Sequence, residues 1–130
     1  MLPPWNEHRE KVFLDRYALK DPAGATAETT PEQMFRRVAN AVGKTDEERE
    51  EFYKLLASWK FLPGGRILAG AGSGRTVTMM NCYVIPIHED SRAGIVRAIG
   101  EALELHSRGG GVGINWSILR PKGAPVRGVG

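Results

Sequence analysis

Tyr83-Val84-Ile85-Pro86-Ile87, then Ser91 through Ser107, then Val112-Gly113-Ile114-Asn115 are the segments on which the fold reading turns. The first and last are short and apolar and are bounded by glycine or polar residues, as strands are. Between them Ser91 can cap a helix, with Ile95, Val96, Ile99, Ala102, Leu103 and His106 spaced along one side. Gly109-Gly110-Gly111 stops that helix. Strand, helix, strand in this order predicts a parallel βαβ unit with a right-handed crossover.

Working outward, Ile67-Leu68 and Val77 to Met80 are further short apolar runs beside glycines and read as strands. Before residue 63 the texture is different, charged and helical. Val12, Phe13, Leu14 and Tyr17 suit a short helix ahead of an Asp21-Pro22-Ala23-Gly24 turn. Thr30 and Gln33 form a capping box with Pro31 in the first turn; Phe35, Val38 and Val42 share a face, and Gly43 ends the helix. Thr45 and Glu48 repeat the box for a second helix. That helix carries Phe52, Leu55, Leu56 and Trp59 at i, i+3, i+4 and i+7 and runs to Pro63-Gly64-Gly65. The two helices are expected to pack as a hairpin. The chain thus divides into a helical region, 1–62, and a glycine-rich α/β region, 63–130. Gly128-Val129-Gly130 read as a chain that stops within a loop.

With 42% apolar and 25% charged residues, the 130-residue chain is ordinary globular material. A net charge of +3 is too small and scattered for nucleic-acid or membrane-surface binding, though it suits small anionic ligands. No apolar run reaches the roughly 20 residues that span a bilayer, and Met1 to Lys11 lacks the apolar core of a secretory signal. The single cysteine, Cys82, cannot form an internal disulfide, which favours a reducing cytoplasm.

Several motifs have plainer explanations. Gly70 to Thr76 invites a phosphate-loop reading, but a Walker loop needs glycine at 69 and lysine at 75, where this chain has Ala69 and Arg75. Gly109 to Gly113 follows a helix and enters a strand, the reverse of the dinucleotide-binding order. Its glycines suit close approach of a ligand or another backbone. Cys82 in an apolar strand reads, by itself, as a buried inert thiol. His88 and His106 have no companion ligands nearby in sequence, so no metal site is expected.

The order of the pieces adds a resemblance. Phe61-Leu62-Pro63-Gly64-Gly65-Arg66-Ile67-Leu68-Ala69-Gly70-Ala71-Gly72 resembles the opening of the barrel in class II, adenosylcobalamin-dependent ribonucleotide reductases. Val77 to Val84 is similar to the strand bearing that family's first redox cysteine, and Asp90-Ser91 with Gly94-Ile95 to the start of its effector helix. Gly109 to Asn115 and Leu119 to Val126 resemble its next strand and loop. Residues 10–60 resemble its helical lead-in more loosely, and the front shows no room for the ATP-binding cone of many reductases. With the Pro-Gly-Gly-Arg form of the first motif, this points to the cobalamin branch.

The resemblance implies an incomplete α/β fold: an N-terminal helical region, then the first strands and helix of a ten-stranded α/β barrel. It implies that Cys82 is one of two thiols that become a disulfide as the ribose is reduced. It also implies substrate contacts at Gly65, Arg66, Asn81, Gly110 and Gly111, and effector contacts at Asp90, Ser91 and Arg120. One extra residue within Ile87-His88-Glu89 makes Asp90 and Ser91 weaker matches than Arg120. Expected partners are a ribonucleotide substrate, a deoxynucleotide effector, a complementary reductase segment and a second copy packed through the helix Ser91 to Ser107. Adenosylcobalamin would be held mainly by parts outside this chain, and the chain alone would be inactive. Two other readings stay open: a stand-alone deoxynucleotide-binding or dimerisation module without catalysis, and a nonfunctional remnant with unpaired strand edges.

Overall fold

A computed structural model describes residues 5–126, so the reading of 128–130 lies outside the described residues. The chain forms two compact units, one through Met80 and one from Asn81. The change of sequence texture at 62/63 falls earlier than this division.

The first unit is helical. Helix α1 (Glu7–Arg16) is capped by Asn6, whose side chain accepts from the Arg9 amide at 3.0 Å, and buries Phe13. Helix α2 (Pro31–Val42) opens with Gln33 Oε1 accepting from the amides of Thr29, at 2.7 Å, and Thr30, at 3.1 Å. Helix α3 (Asp46–Ala57) has the reciprocal box: Thr45 Oγ1 accepts from the Glu48 amide at 3.2 Å, and Glu48 Oε2 accepts from Lys44 at 2.7 Å. The carboxyl of Glu47, in the same first turn, is held below its ordinary range by its own backbone amide and the Thr45 hydroxyl. In α1 the Lys11 ammonium does the same for Asp15 at 3.0 Å.

α2 and α3 pack together as expected, through Phe35, Val38 and Leu56, but the buried faces are narrower or shifted at their edges. Met34, Phe35, Val38 and Ala39 are buried on α2 while Val42 is 47% exposed. On α3 only Leu56 is buried; Phe52, Leu55 and Trp59 remain partly exposed, because the α2 neighbour covers one edge of the stripe rather than all of it. α3 also ends sooner than expected, at Ala57, with Ser58 as its cap and Trp59 at φ 58°.

Ile67-Leu68 is not a strand. It lies in a short helix, α4 (Gly65–Gly70), whose Ile67 and Leu68 pack against the first core. The tie is Arg37 on α2, which donates to Leu68 O at 3.1 Å and to Ala71 O. It also binds Glu28 at 2.6 and 3.0 Å, and Glu28 in turn accepts from the Leu19 amide at 2.9 Å. The loop after α4 lies on α2: a Cβ on Gly72 would come within 2.9 Å of Arg37 Cγ, and its φ is +70°, so packing and backbone both demand glycine. Val77 to Met80 is not a strand either. There the Thr78 hydroxyl accepts from the Met80 amide at 3.1 Å, a local bond that competes with a ladder.

The second unit is the expected βαβ. Strand β1 (Cys82–Pro86) pairs in parallel with β2 (Gly111–Asn115), in register from Cys82↔Gly111 to Pro86↔Asn115, and α5 (Arg92–Ser107) joins them. Ile85 and Ile87, with Val112 and Ile114, pack on Ala98, Ala102 and Leu105 of α5. The strand residues between them, Cys82 and Val84, face the other way and are exposed. α5 buries a different side from that read in the sequence: Gly94 and Ala98 are covered, whereas Val96, Ile99 and Leu103 are 67%, 54% and 69% exposed.

Candidate functional site

The second unit gathers the sequence-derived residues into two clusters, at opposite ends of its strand pair. Five residues at about 3.3 Å each put these ends roughly 17 Å apart.

The first cluster is built around Cys82. Its thiol is exposed, so the buried, inert reading fails. Asn81 O accepts from the Gly111 amide at 2.7 Å, which sets Gly111 in register beside Cys82. A Cβ on Gly111 would stand 3.3 Å from Asn81 O and 3.6 Å from Cys82 Sγ, so the bare glycine lets the facing carbonyl and the sulfur lie close to its backbone. The three glycines have separate reasons. Gly109, at φ +86°, takes the left-handed position that ends α5. Gly110 is buried, and a Cβ there would come within 2.9 Å of the Tyr83 ring. Gly111 alone lies beside the thiol.

The second cluster sits at the N-terminus of α5. Ser91 Oγ accepts from the Gly94 amide at 3.0 Å as the helix cap. Arg120 Nε donates to Asp90 Oδ2 at 2.7 Å, Nη2 to Asp90 O at 3.0 Å and Nη1 to Pro125 O at 3.0 Å. The pair is about one-third exposed. A guanidinium and the positive end of a helix therefore meet at one place, partly neutralised by Asp90, and a multiply charged anion could compete with that carboxylate.

Gly65 and Arg66 open α4 in the other unit, where Gly65 lies against the Tyr17 ring. That unit holds two features that sequence reading missed. One is the Glu28–Arg37 pair, whose partners come from four separate segments and leave no local pattern. The other is an apolar cleft of about 940 Å³, lined by Trp5, Phe13, Tyr17, Phe35, Trp59 and Leu62 among others. Among the described residues no three His, Cys, Asp or Glu side chains converge as a metal site. No helix among the described residues is long and apolar enough to cross a membrane.

Comparison with known proteins covers both units. Residues 7–76 match the family described as ribonucleotide reductase, all-alpha domain, and residues 80–130 match ribonucleotide reductase, barrel domain. A vitamin B12-dependent ribonucleoside-diphosphate reductase of Mycobacterium tuberculosis is 35% identical over 127 residues, 92% of this chain and 18% of that protein. A putative adenosylcobalamin-dependent ribonucleoside-triphosphate reductase of Mycobacterium phage D29 is 32% identical, over 88% of this chain and 17% of its own length. A ribonucleoside-diphosphate reductase subunit alpha of Bacillus subtilis is 30% identical, over 90% and 17%. The chain spans less than a fifth of the length of these relatives.

Proposed function

This chain belongs to the ribonucleotide reductase family, and from that premise we propose that it supplies one redox thiol and part of the nucleotide sites of a ribonucleotide-reducing enzyme. The observation that carries the reading is Cys82: an exposed thiol at the head of a barrel-domain strand, beside the glycine backbone of Gly111. Its chemistry is a two-electron exchange. Two thiols give up two hydrogens and form a disulfide, while the ribose 2′-hydroxyl leaves as water and a hydrogen takes its place. Cys82 is one of the two, and its partner belongs to the rest of the barrel. A thiol in this role works in a reducing compartment, hence the cytoplasm.

Gly65, Arg66, Asn81, Gly110 and Gly111 are assigned to the substrate, with Gly111's place beside the exposed Cys82 thiol the feature that supports this best. Asp90, Ser91 and Arg120 are assigned to a deoxynucleotide effector, supported by the helix N-terminus and guanidinium at one place. The exposed Val96, Ile99 and Leu103 support a homodimer through α5. For the radical source, the B12-dependent names of the mycobacterial and phage relatives support adenosylcobalamin, which initiates such chemistry when bound. Among the described residues no buried polar side-chain atom lacks a partner, so these residues offer no orphaned group for a corrin to satisfy. The cofactor is assigned to the rest of the reductase.

The test is reconstitution. Mixed with a polypeptide carrying the remaining barrel, adenosylcobalamin, a dithiol and a ribonucleotide, the chain should yield deoxyribonucleotide, and C82S should abolish multiple turnover. The absence of both association and product would sink the proposal. The stand-alone module draws on one observation, that Asp90, Ser91 and Arg120 all lie within this chain. In the same assay it predicts deoxynucleotide binding by the chain alone.

A further inference from the structure

At its C-terminal end α5 closes with a Schellman turn: the Gly109 amide donates to His106 O at 2.9 Å and the Gly110 amide to Leu105 O at 2.8 Å. That turn needs no side chain, yet His106 Nδ1 lies 2.9 Å from Gly110 O. A carbonyl can only accept, so Nδ1 carries the proton and donates.

The carbonyl of Gly110 and the amide of Gly111 belong to one peptide plane, which is rigid. At one edge that plane accepts from His106; at the other it donates to Asn81 O at 2.7 Å. Glycine on both sides leaves the plane otherwise free to turn, since neither flanking residue restricts its dihedrals. Bonds at both edges of one amide also polarise and strengthen each other. The imidazole thus reaches the thiol in few steps: His106, the Gly110–Gly111 plane, Asn81, then Cys82.

We propose that His106 is a positioning residue, locking the Gly110–Gly111 peptide so that the Gly111 backbone stays aligned beside Cys82. Its importance for catalysis rests on the reading of Gly110, Gly111 and Cys82 given above. Because Ser91 caps α5 and Asp90 precedes it, the lock also joins the helix of that cluster to the cysteine strand.

The test is amide hydrogen exchange at Gly111 in the 130-residue chain, followed by NMR, with Cys82 alkylation by iodoacetamide measured in parallel. H106A should speed Gly111 exchange about tenfold relative to Ile85, the loss expected for one hydrogen bond, and should change the alkylation rate. Asparagine places an amide nitrogen where Nδ1 lies, and glutamine places one where Nε2 lies. H106N should therefore restore protection and H106Q should not, although asparagine is the poorer helix former. Unchanged exchange in H106A, or equal rescue by both amides, overturns the proposal. Should H106A lose the fold, the asparagine–glutamine contrast decides. Neither readout needs nucleotide or the remaining barrel, so failure of the lock and failure of the reductase reading are seen separately.

Discussion

The unit ending at Met80 buries Phe13, Met34, Phe35, Val38 and Leu56 beside a paired Glu28 and Arg37; among the described residues of the other unit only Ile85, Ile87 and Ala98 are buried large or small apolar side chains, and Val84 is 82% exposed. Each unit has one apolar cluster, but the second also shows apolar groups on two further faces. One is the α5 stripe of Val96, Ile99 and Leu103; the other is the sheet face bearing Cys82 and Val84. Parallel strands are ordinarily covered on both faces. The lesson is that the helical unit builds the larger core, around a buried ion pair, while the sheet unit presents the faces on which the proposed function depends.

The largest effect should come from breaking the buried ion pair of the helical unit. The side chains of Arg37 and Glu28 are 9% and 8% exposed, and the guanidinium also satisfies carbonyls of α4 and the residue after it. R37A strands a buried carboxylate and should cost about 3–5 kcal/mol, read by urea unfolding followed through tryptophan fluorescence. The Ile85 and Ile114 amides of the other unit should keep their exchange protection. A loss under about 1 kcal/mol would mean that the pair does not hold this unit together.

The Arg37 network also marks where sequence reading stops. Thr30 with Gln33 and Thr45 with Glu48 were legible because a capping box is a local device, complete within four residues. The βαβ order was legible because two short apolar runs, at 83–87 and 112–115, flank a helix with its own cap and glycine stop. Ile67-Leu68 was misread because two apolar residues have no period, and the helix they join is held by an arginine 31 and 34 residues away. The apolar side of α5 was misassigned because that helix is apolar over more than one face, and only the sheet decides which is covered. At the candidate site Cys82 was legible through resemblance rather than locally, and Asp90 meets Arg120 across 30 residues. His106 was set aside as a lone histidine; its role is a bond to backbone, which no side-chain pattern announces.

A smaller effect should sharpen the contrast from the open side. Leu103 is 69% exposed, so L103E should leave unfolding stability within about 0.5 kcal/mol. If α5 meets a second copy, the same change buries a charge in the contact and should weaken self-association at least about tenfold, near 1.4 kcal/mol. Sedimentation of the wild-type and variant chains reads this directly. A wild type that stays monomeric at high concentration, or a variant that associates equally well, removes α5 as the dimer face.

The smallest effect tests how the two units end a helix. α3 closes with the same turn as α5: the Trp59 amide donates to Leu56 O at 3.0 Å and the Lys60 amide to Leu55 O at 3.1 Å. In α5 the left-handed position is Gly109; in α3 it is Trp59, at φ 58°, where an L side chain costs about 1–2 kcal/mol. What holds it there is the indole, edge-on to Phe35 at 5.9 Å, a contact worth about 0.5–1.5 kcal/mol. W59G gives up that contact but relieves the backbone, and its net change should stay within about 1 kcal/mol of zero. W59A gives up the contact and keeps the strain, so it should be the less stable variant by about 1 kcal/mol. The order matters more than either value. In an exposed helix interior alanine is the better residue, so glycine can win here only if the left-handed turn is real.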